Sequence, residues 1–407
     1  GVEGAGAMGM PRLPQLPQLL ATKGGSFIER ATFFYEVAGV DVLEVRNLEA
    51  VLDAVTAMPS SAGATGVVYL GVHKKSLTDH CLVAALIDEV AKRLAKDGRE
   101  LTVALEAVQV PVQATVQAFV AGTAGGKAGS GVDWERKTQW KSRGGGWLWE
   151  NVEPVLLAAR RARAAVLALE PEGEAMRNVA LNGLGGLDID QRKRFVVDPV
   201  GFVQAAFDPV ALVLEAEEIA RQAVDFSASD PSNAATPTDS APARRRFVSQ
   251  SLRDEASSSR LATYAKKSDN TLVLAILDLA RLRFHAGIPS RTARIAAKIA
   301  APVDPSVILV NPGPDDCGLD PRGEGLRLVV DPAAKGAGGR LPRGVSKGAM
   351  KDAERIAVEH AQALAGEMGL GAPTAADPSF RIKGQIADYL WYGGDPGKGV
   401  FTRGVRG

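Results

Sequence analysis

A short apolar strand, an amphipathic helix and a second apolar strand follow one another between residues 66 and 105. The first strand is the glycine-bounded run Gly66-Val67-Val68-Tyr69-Leu70-Gly71. Leucine and valine recurring at helical spacing predict a helix from Thr78 to Lys96, and Leu101 to Leu105 forms the second strand. This order is typical of the βαβ unit of a parallel sheet. We therefore predict an α/β fold with a mostly parallel sheet flanked by helices.

Strand and helix patterns continue as far as residue 310. Further strands are predicted at 164–169, 271–277 and 307–310, the last as the final strand of the sheet. The predicted helices span 45–58, 111–121, 153–163, 174–182, 188–195, 209–224, 246–265, 291–300 and 348–368. Ser290 is expected to cap the helix that begins at Arg291.

Composition separates three regions of the chain. Residues 1–44 form an N-terminal arm in which Pro11, Pro14 and Pro17 stand between leucines, a pattern typical of an extended segment. Residues 45–310 carry the α/β pattern, with a Ser-, Ala-, Pro- and Asp-rich insertion at 227–246 that we predict to be disordered. Residues 311–407 form a loop-rich C-terminal extension.

Charge and residue usage exclude several classes of function. The chain has 48 basic and 47 acidic residues, so no long-range attraction favours a nucleic-acid partner. No stretch of about 18 apolar residues predicts a transmembrane segment, which leaves peripheral association with a membrane open. The two cysteines, Cys81 and Cys317, lack the number for a disulfide framework and the spacing of a zinc site.

Candidate functional residues follow the predicted strands. In open parallel sheets, ligands bind beyond the carboxyl ends of the strands. The segments after Leu70 and after Leu105 are therefore the first places to look for chemistry, and Glu106 stands at the second of them.

Several of these residues, in this order, resemble the ChaN-like haem-binding uptake family of the Tiki superfamily. The resemblance covers residues 45–310. It rests on the strand Val67 to Gly71 with His80, Ala104-Leu105-Glu106, Gln113, Ala121-Gly122, Trp134, Trp140, Trp149, Pro154, Gly183-Leu184, the run from Gln250 to Glu255, and Gly287-Ile288-Pro289 with Arg291.

The resemblance implies a sheet with helices on both faces and a pocket where Glu and His residues bind metal or where haem docks. This sequence departs from the family pattern there. The family's Gly-Glu-x-His appears as Gly71-Val72-His73-Lys74, and a later Gly-His aligns with Ala280-Arg281. The predicted vestigial pocket contains Gly71, Val72, His73, Lys74, His80, Glu106, Asp254 and Arg281.

The substitutions argue against metal chemistry in this pocket. Lysine and arginine do not normally offer a lone pair to a metal at neutral pH. A buried Glu106 without a partner would cost several kcal/mol. We therefore predict that Lys74, Arg281 or both lie within salt-bridge range of Glu106. No catalytic residue, metal or cofactor is expected.

Three hypotheses remain open. The first is a non-catalytic ChaN-like domain that acts as a binding or scaffold subunit, attached to other protein subunits through the N-terminal arm and the C-terminal extension. The second is a haem- or tetrapyrrole-binding protein with displaced ligands such as His73, His80 or a tyrosine, Tyr69 or Tyr264. The third is a metal-dependent hydrolase, which Val72 and Arg281 disfavour.

Other polar residues carry weaker hypotheses. Ser257, Ser259 and Ser290 lack the context of a nucleophile elbow. His285 is interpreted as part of a turn, and His360 as a packed or solvated residue of the C-terminal helix. Asp254 and Glu255 could reach the pocket, although a surface pair is the default interpretation.

Localisation rests on the resemblance and on composition. The Ala-, Gly- and Arg-rich composition resembles that of GC-rich green-algal proteins, and plant and algal ChaN-like proteins are commonly targeted to plastids. The chain begins Gly1-Val2-Glu3 without an initiator methionine. We therefore expect a processed chloroplast protein.

Overall fold

Eight strands form one sheet in the computed structural model, which describes residues 32–37, 43–59, 63–122, 146–229, 241–267, 270–312, 345–371 and 387–393. The strands are β1 (Thr32–Val37), β2 (Leu43–Arg46), β3 (Thr65–Val72), β4 (Glu100–Gln109), β5 (Ala165–Glu170), β6 (Thr271–Asp278), β7 (Val303–Val310) and β8 (Tyr389–Gly393). The sheet confirms the predicted α/β class.

The strand order is β2-β1-β8-β7-β3-β6-β4-β5. All pairs from β8 to β5 are parallel, whereas β1 is antiparallel to both β8 and β2. The predicted βαβ unit is present, since β3 and β4 are parallel strands of one sheet joined by a helix. They are not neighbours, however, because β6 inserts between them.

The helices cover both faces of this sheet. They are α1 (Leu48–Thr56), α2 (Leu77–Lys96), α3 (Gln113–Val120), α4 (Trp149–Arg161), α5 (Gly173–Asn182), α6 (Ile189–Phe195), α7 (Pro199–Ala206), α8 (Pro209–Ser229), α9 (Ala241–Ala265), α10 (Ile288–Lys298) and α11 (Lys347–Glu367). The sequence analysis did not predict α7, which begins at a proline.

Strand β3 shows why the sheet is buried on both faces. All eight of its residues are buried. Val68 and Leu70 face the core formed with α1 to α4, while Val67 and Tyr69 face the core formed with α9 and α10. Each such side chain contributes about 1.5–3 kcal/mol relative to an exposed one. A continuous apolar run, rather than an alternating one, is typical of a strand covered by helices on both sides.

The sheet extends beyond the predicted domain limits of 45–310 at both ends. Strand β1 lies in the segment described as an arm, and β8 lies in the segment described as an extension. They pair with each other, and β8 pairs with β7. Strand 307–310 is therefore not the last of the sheet, because the chain returns through β8. Pro11, Pro14 and Pro17 lie outside the described residues.

Two other sequence predictions need correction. Helix α9 begins at Ala241, so the last part of the insertion predicted at 227–246 is helical, and α8 continues to Ser229. Residues 230–240 lie outside the described part. Helix α10 begins at Ile288 rather than Arg291, so Ser290 lies inside it and does not cap it. Gly287 precedes this helix at a φ of 70°, a conformation that favours glycine.

The described helices were compared with the length and apolar composition that a membrane-spanning helix needs. No single one of them combines the length and the apolar character of a span. Helix α7 and the first part of α8, which meet at a bend of 56°, reach that combination only as a pair.

Candidate functional site

The candidate site lies at the carboxyl edge of the central strands, where polar residues follow β3 and β6. Lys74 comes two residues after β3, and Arg281 lies in a 3₁₀ turn that follows β6. Glu106 projects from β4, near the register irregularity between β4 and β5. Asp254 comes from the middle of α9. The four side chains form a cluster that we call the ionic lock.

Glu106 is the buried centre of the ionic lock, with a side chain only 2% exposed. Its Oε1 lies 3.6 Å from Nζ of Lys74 and 3.4 Å from Nη2 of Arg281. Its Oε2 accepts a 2.8 Å hydrogen bond from the backbone N–H of Asp278. The prediction that Lys74, Arg281 or both lie within salt-bridge range of Glu106 is confirmed, and both do.

Arg281 links Glu106 to α9. Its Nη1 lies 3.1 Å from Oδ1 of Asp254, and its Nη2 donates to Oε1 of Gln250 over 3.3 Å. The Gln250 amide in turn donates to Asp254 over 3.0 Å. Burial raises the pKa of Asp254 despite the nearby Arg281. Burial would lower the pKa of Arg281, but Glu106 and Asp254 outweigh it and raise that pKa.

Lys74 closes the cluster from the solvent side. Its side chain is 24% exposed, and its Nζ lies 2.9 Å from Oδ2 of Asp278. The ammonium also lies 5.8 Å from the ring centroid of Trp147, a cation–π distance. Asn151 of α4 donates to the Lys74 carbonyl over 3.2 Å. The Lys74 ammonium is therefore positioned by Asp278 and by the ring of Trp147, and the Lys74 backbone by Asn151.

Helix α9, which carries Asp254, makes further ion pairs next to the ionic lock. Arg253 lies 2.9 Å from Glu170 at the end of β5. Glu255 is fully buried and contacts Arg291 and Arg294 of α10, at 3.0 and 2.6 Å. The default interpretation of Asp254 and Glu255 as a surface pair is therefore wrong. Their carboxylates are buried because arginines from two other elements meet them.

The histidines near β3 lie in different surroundings. His73 is 41% exposed, and its Nδ1 lies 2.8 Å from Oδ2 of the buried Asp79. Asn311, at the end of β7, donates to the other oxygen of Asp79 over 2.8 Å. His80 is buried, with Nδ1 on the Ser76 carbonyl and its ring edge against Trp147. Burial lowers the pKa of His80.

Two residues of the predicted pocket serve packing. Val72 is fully buried in the core that faces α2, on the strand where the family pattern has a carboxylate. A Cβ on Gly71 would lie 2.9 Å from Leu309 and 3.2 Å from the backbone of Leu279. Leu279 follows β6, the neighbour of β3 in the sheet. Its backbone can lie this close to β3 only because residue 71 is glycine.

The other candidates are accounted for by local contacts. Ser257 and Ser259 are buried, and their hydroxyls donate hydrogen bonds to the backbone carbonyls of Leu169 and Phe195, respectively. Tyr69 is fully buried, and burial raises the pKa of its hydroxyl. The Tyr264 hydroxyl lies 2.7 Å from Thr102.

The donor set at the ionic lock does not fit a metal ion. Among the described residues, no group of three or more His, Cys, Asp or Glu side chains is placed to hold one. The carboxylates of Glu106 and Asp254 already face Lys74 and Arg281, whose positive charges would repel a cation. The arrangement can hold charge, but it offers no ligand set.

A cleft of about 490 Å³ opens beside the ionic lock, and its lining includes Lys74, Asp254 and Arg281. Helices α8 and α9 form its long walls, and His360 of α11 also lines it. Sequence reasoning missed Asp278 and Gln250 as members of this edge. The signal for Asp278 was its place directly after an apolar strand, as for Glu106.

Comparisons with known proteins give one family and one solved structure. A family model described as haem-binding uptake, Tiki superfamily, ChaN matches residues 58–292. A structure described as cofacial heme binding to ChaN of Campylobacter jejuni is 12% identical. It aligns with 69% of this chain and 91% of that chain, with a TM-score of 0.43. A search of curated proteins gives no match.

Proposed function

The chain belongs to the ChaN family of haem-binding uptake proteins in the Tiki superfamily, and from that premise we propose that it is a non-catalytic binding or scaffold subunit of a larger protein assembly. Its pocket holds fixed protein cations where other members of the family would hold a metal or haem. The chloroplast is the compartment that we propose for this assembly.

The observation that carries the proposal is the contact of Glu106 with two cationic side chains. Lys74 and Arg281 approach the same carboxylate oxygen at 3.6 and 3.4 Å. Both occupy positions where the family pattern has histidine. Removing one partner of a buried ion pair costs about 3–5 kcal/mol, so the charges stabilise the edge only as a set. A pocket built in this way favours a fixed structure over exchange of a bound ion.

Metal analysis tests the loss of metal chemistry. The purified full chain is expected to carry no stoichiometric zinc or manganese after incubation with either ion and desalting. A Lys74→His, Arg281→His variant returns two imidazoles beside Glu106 and is expected to retain the added metal. Arg161→His, which alters an ion pair on α4 away from the ionic lock, is the control. Stoichiometric metal in the wild-type chain would contradict the proposal.

The scaffold role rests on the segments beyond the family match. Strand β8 lies between β1 and β7 in the sheet, and α11 lines the cleft. We propose that residues 1–31 and 394–407 contact other protein subunits. In plastid extract, the tagged chain is expected to migrate well above its own 42.6 kDa, and deletion of either segment to release it. Migration as a free chain would refute the role.

Haem binding through His73 is the second candidate function. The half-exposed imidazole has its Nδ1 on the Asp79 carboxylate, the pairing that orients metal-ligating histidines. This candidate, unlike the first, requires that titration with haem give a saturable, shifted Soret band that His73→Ala abolishes and the exposed-site control Lys75→Ala retains. An unchanged band in the His73→Ala variant would exclude this ligand.

A further inference from the structure

The cleft beside the ionic lock has the dimensions and lining of a small-molecule site. Its volume of about 490 Å³ lies within the range typical of such sites. One end lies at the sheet edge, where Arg281 contacts Asp254. The other end lies where Arg246 of α9 meets Glu218 of α8 at 3.0 Å.

The long walls carry apolar side chains among charged and polar ones. Ala211, Leu214 and Ile219 line the cleft from α8, and Phe247 lines it from α9. The positions from 211 to 218 span about 10 Å along a helix. A linear apolar chain of medium length matches this distance better than a compact polar metabolite.

Charge favours an acidic group at the sheet edge. Among the described residues that line the cleft, seven are Lys or Arg and five are Asp or Glu. The buried Nη1 of Arg281 lies close to Asp254 but makes no hydrogen bond of good geometry. Burial raises the pKa of Asp254, so this carboxyl gives up its charge more readily than an exposed one. A ligand carboxylate can then take its place beside Arg281.

His360 supplies an unused polar atom among the lining residues. The residue is fully buried, its Nδ1 lies 3.4 Å from Oε1 of Glu215, and its ring contacts Phe247. Its Nε2 is buried without a hydrogen-bond partner among the described residues. In the tautomer whose Nδ1–H donates to Glu215, Nε2 is a hydrogen-bond acceptor. A buried acceptor of this kind gains most from a ligand that brings a donor.

We propose that the cleft between α8 and α9 binds an amphipathic carboxylic acid of medium chain length with a hydroxyl donor at its far end. The carboxylate lies beside Arg281, the chain lies along Leu214 and Phe247, and the hydroxyl donates to Nε2 of His360. Since α11 lies beyond residues 58–292, the site includes a residue outside the family match. The inference rests on the proposed function in one respect, that the cleft binds its ligand without converting it.

Calorimetric titration of the full chain with three ligands of one chain length tests each part. Decanoate is expected to bind at least about tenfold more tightly than decanol, because it gains a charge-assisted hydrogen bond. The ω-hydroxy derivative of decanoate is expected to bind about fivefold more tightly than decanoate. Protoporphyrin IX, a rigid diacid, is expected to bind more weakly than decanoate.

Two pairs of variants locate the site. His360→Leu is expected to abolish the fivefold advantage of the hydroxyl while decanoate binding persists. Val358→Leu, on the exposed side of the same helix, retains the advantage. Ala211→Trp fills the cleft and is expected to weaken all linear ligands by at least about tenfold, whereas Ala211→Ser does not.

The outcomes separate this inference from the proposed function. Equal binding of decanoate and decanol, no effect of Ala211→Trp, or tighter binding of the porphyrin would each overturn the linear-acid site. The metal analysis would still stand in those cases. Release of a chemically altered ligand, detected by mass spectrometry, would refute the non-catalytic function while the site remained.

Discussion

Replacing Arg281 by methionine tests the energetic meaning of the ionic lock. Methionine keeps much of the side-chain volume but removes the charge that contacts Glu106 and Asp254. Glu106 would retain Lys74 at 3.6 Å and the Asp278 amide at 2.8 Å, whereas Asp254 would retain the Gln250 amide and the more distant charges of Arg291 and Arg253. The larger part of the penalty therefore comes from Asp254. We expect the variant to lose about 3–5 kcal/mol of unfolding free energy.

Denaturant unfolding of two further variants refines this expectation. Arg281→Met combined with Asp254→Leu removes both charges, and its stability is expected to return to within about 2 kcal/mol of the wild type. Arg161→Met breaks an exposed pair with Asp88 and is expected to cost at most about 1 kcal/mol. If Arg281→Met cost no more than Arg161→Met, the reasoning on the ionic lock would be refuted.

Three further predictions concern residues around this edge. Gly71→Ala is expected to cost about 1–3 kcal/mol in the same unfolding assay, because its Cβ would meet Leu309, and an unchanged midpoint would contradict the close packing described. Asp79→Asn weakens the contacts to His73 and Asn311 and is expected to cost about 1.5–3 kcal/mol, whereas wild-type stability would show that this carboxylate is dispensable. The pKa of Asp254 is raised in the folded state, so its contribution is fully present below the unfolded value of 3.8 and is lost as pH rises through the folded pKa. Relative to Asp254→Asn, the wild type is therefore expected to lose stability as the pH rises above 3.8, and a pH-independent difference would argue against a buried carboxyl.

The sequence was sufficient to place Glu106, Lys74 and Arg281 together. The rule that ligands bind beyond the ends of parallel strands drew attention to Glu106. The resemblance to the ChaN-like family placed Lys74 and Arg281 in the same pocket, and the cost of an unpaired buried carboxylate predicted their contact with Glu106. These arguments combine a local strand pattern, a family resemblance and the energetics of buried charge. They did not require knowledge of which strands are neighbours.

The parts that the sequence did not reveal depend on contacts between distant segments. Strand β6 lies between β3 and β4, and β1 pairs with β8, although many residues separate them in the chain. Hydrophobic periodicity carries no information on such pairings. The same limit applies to Glu255 and His360, whose burial depends on Arg291, Arg294 and α8 rather than on their own helices.

Anomalous diffraction from crystals grown with excess manganese tests the central claim most directly. Fixed cations at the ionic lock predict no manganese peak within about 3 Å of the Glu106 carboxylate, a limit that lies just beyond the about 2.0–2.6 Å of a bond from a hard cation to oxygen. They also predict density for Lys74 and Arg281 in contact with that carboxylate. A manganese ion bound to Glu106, with Lys74 and Arg281 displaced from it, would contradict the account.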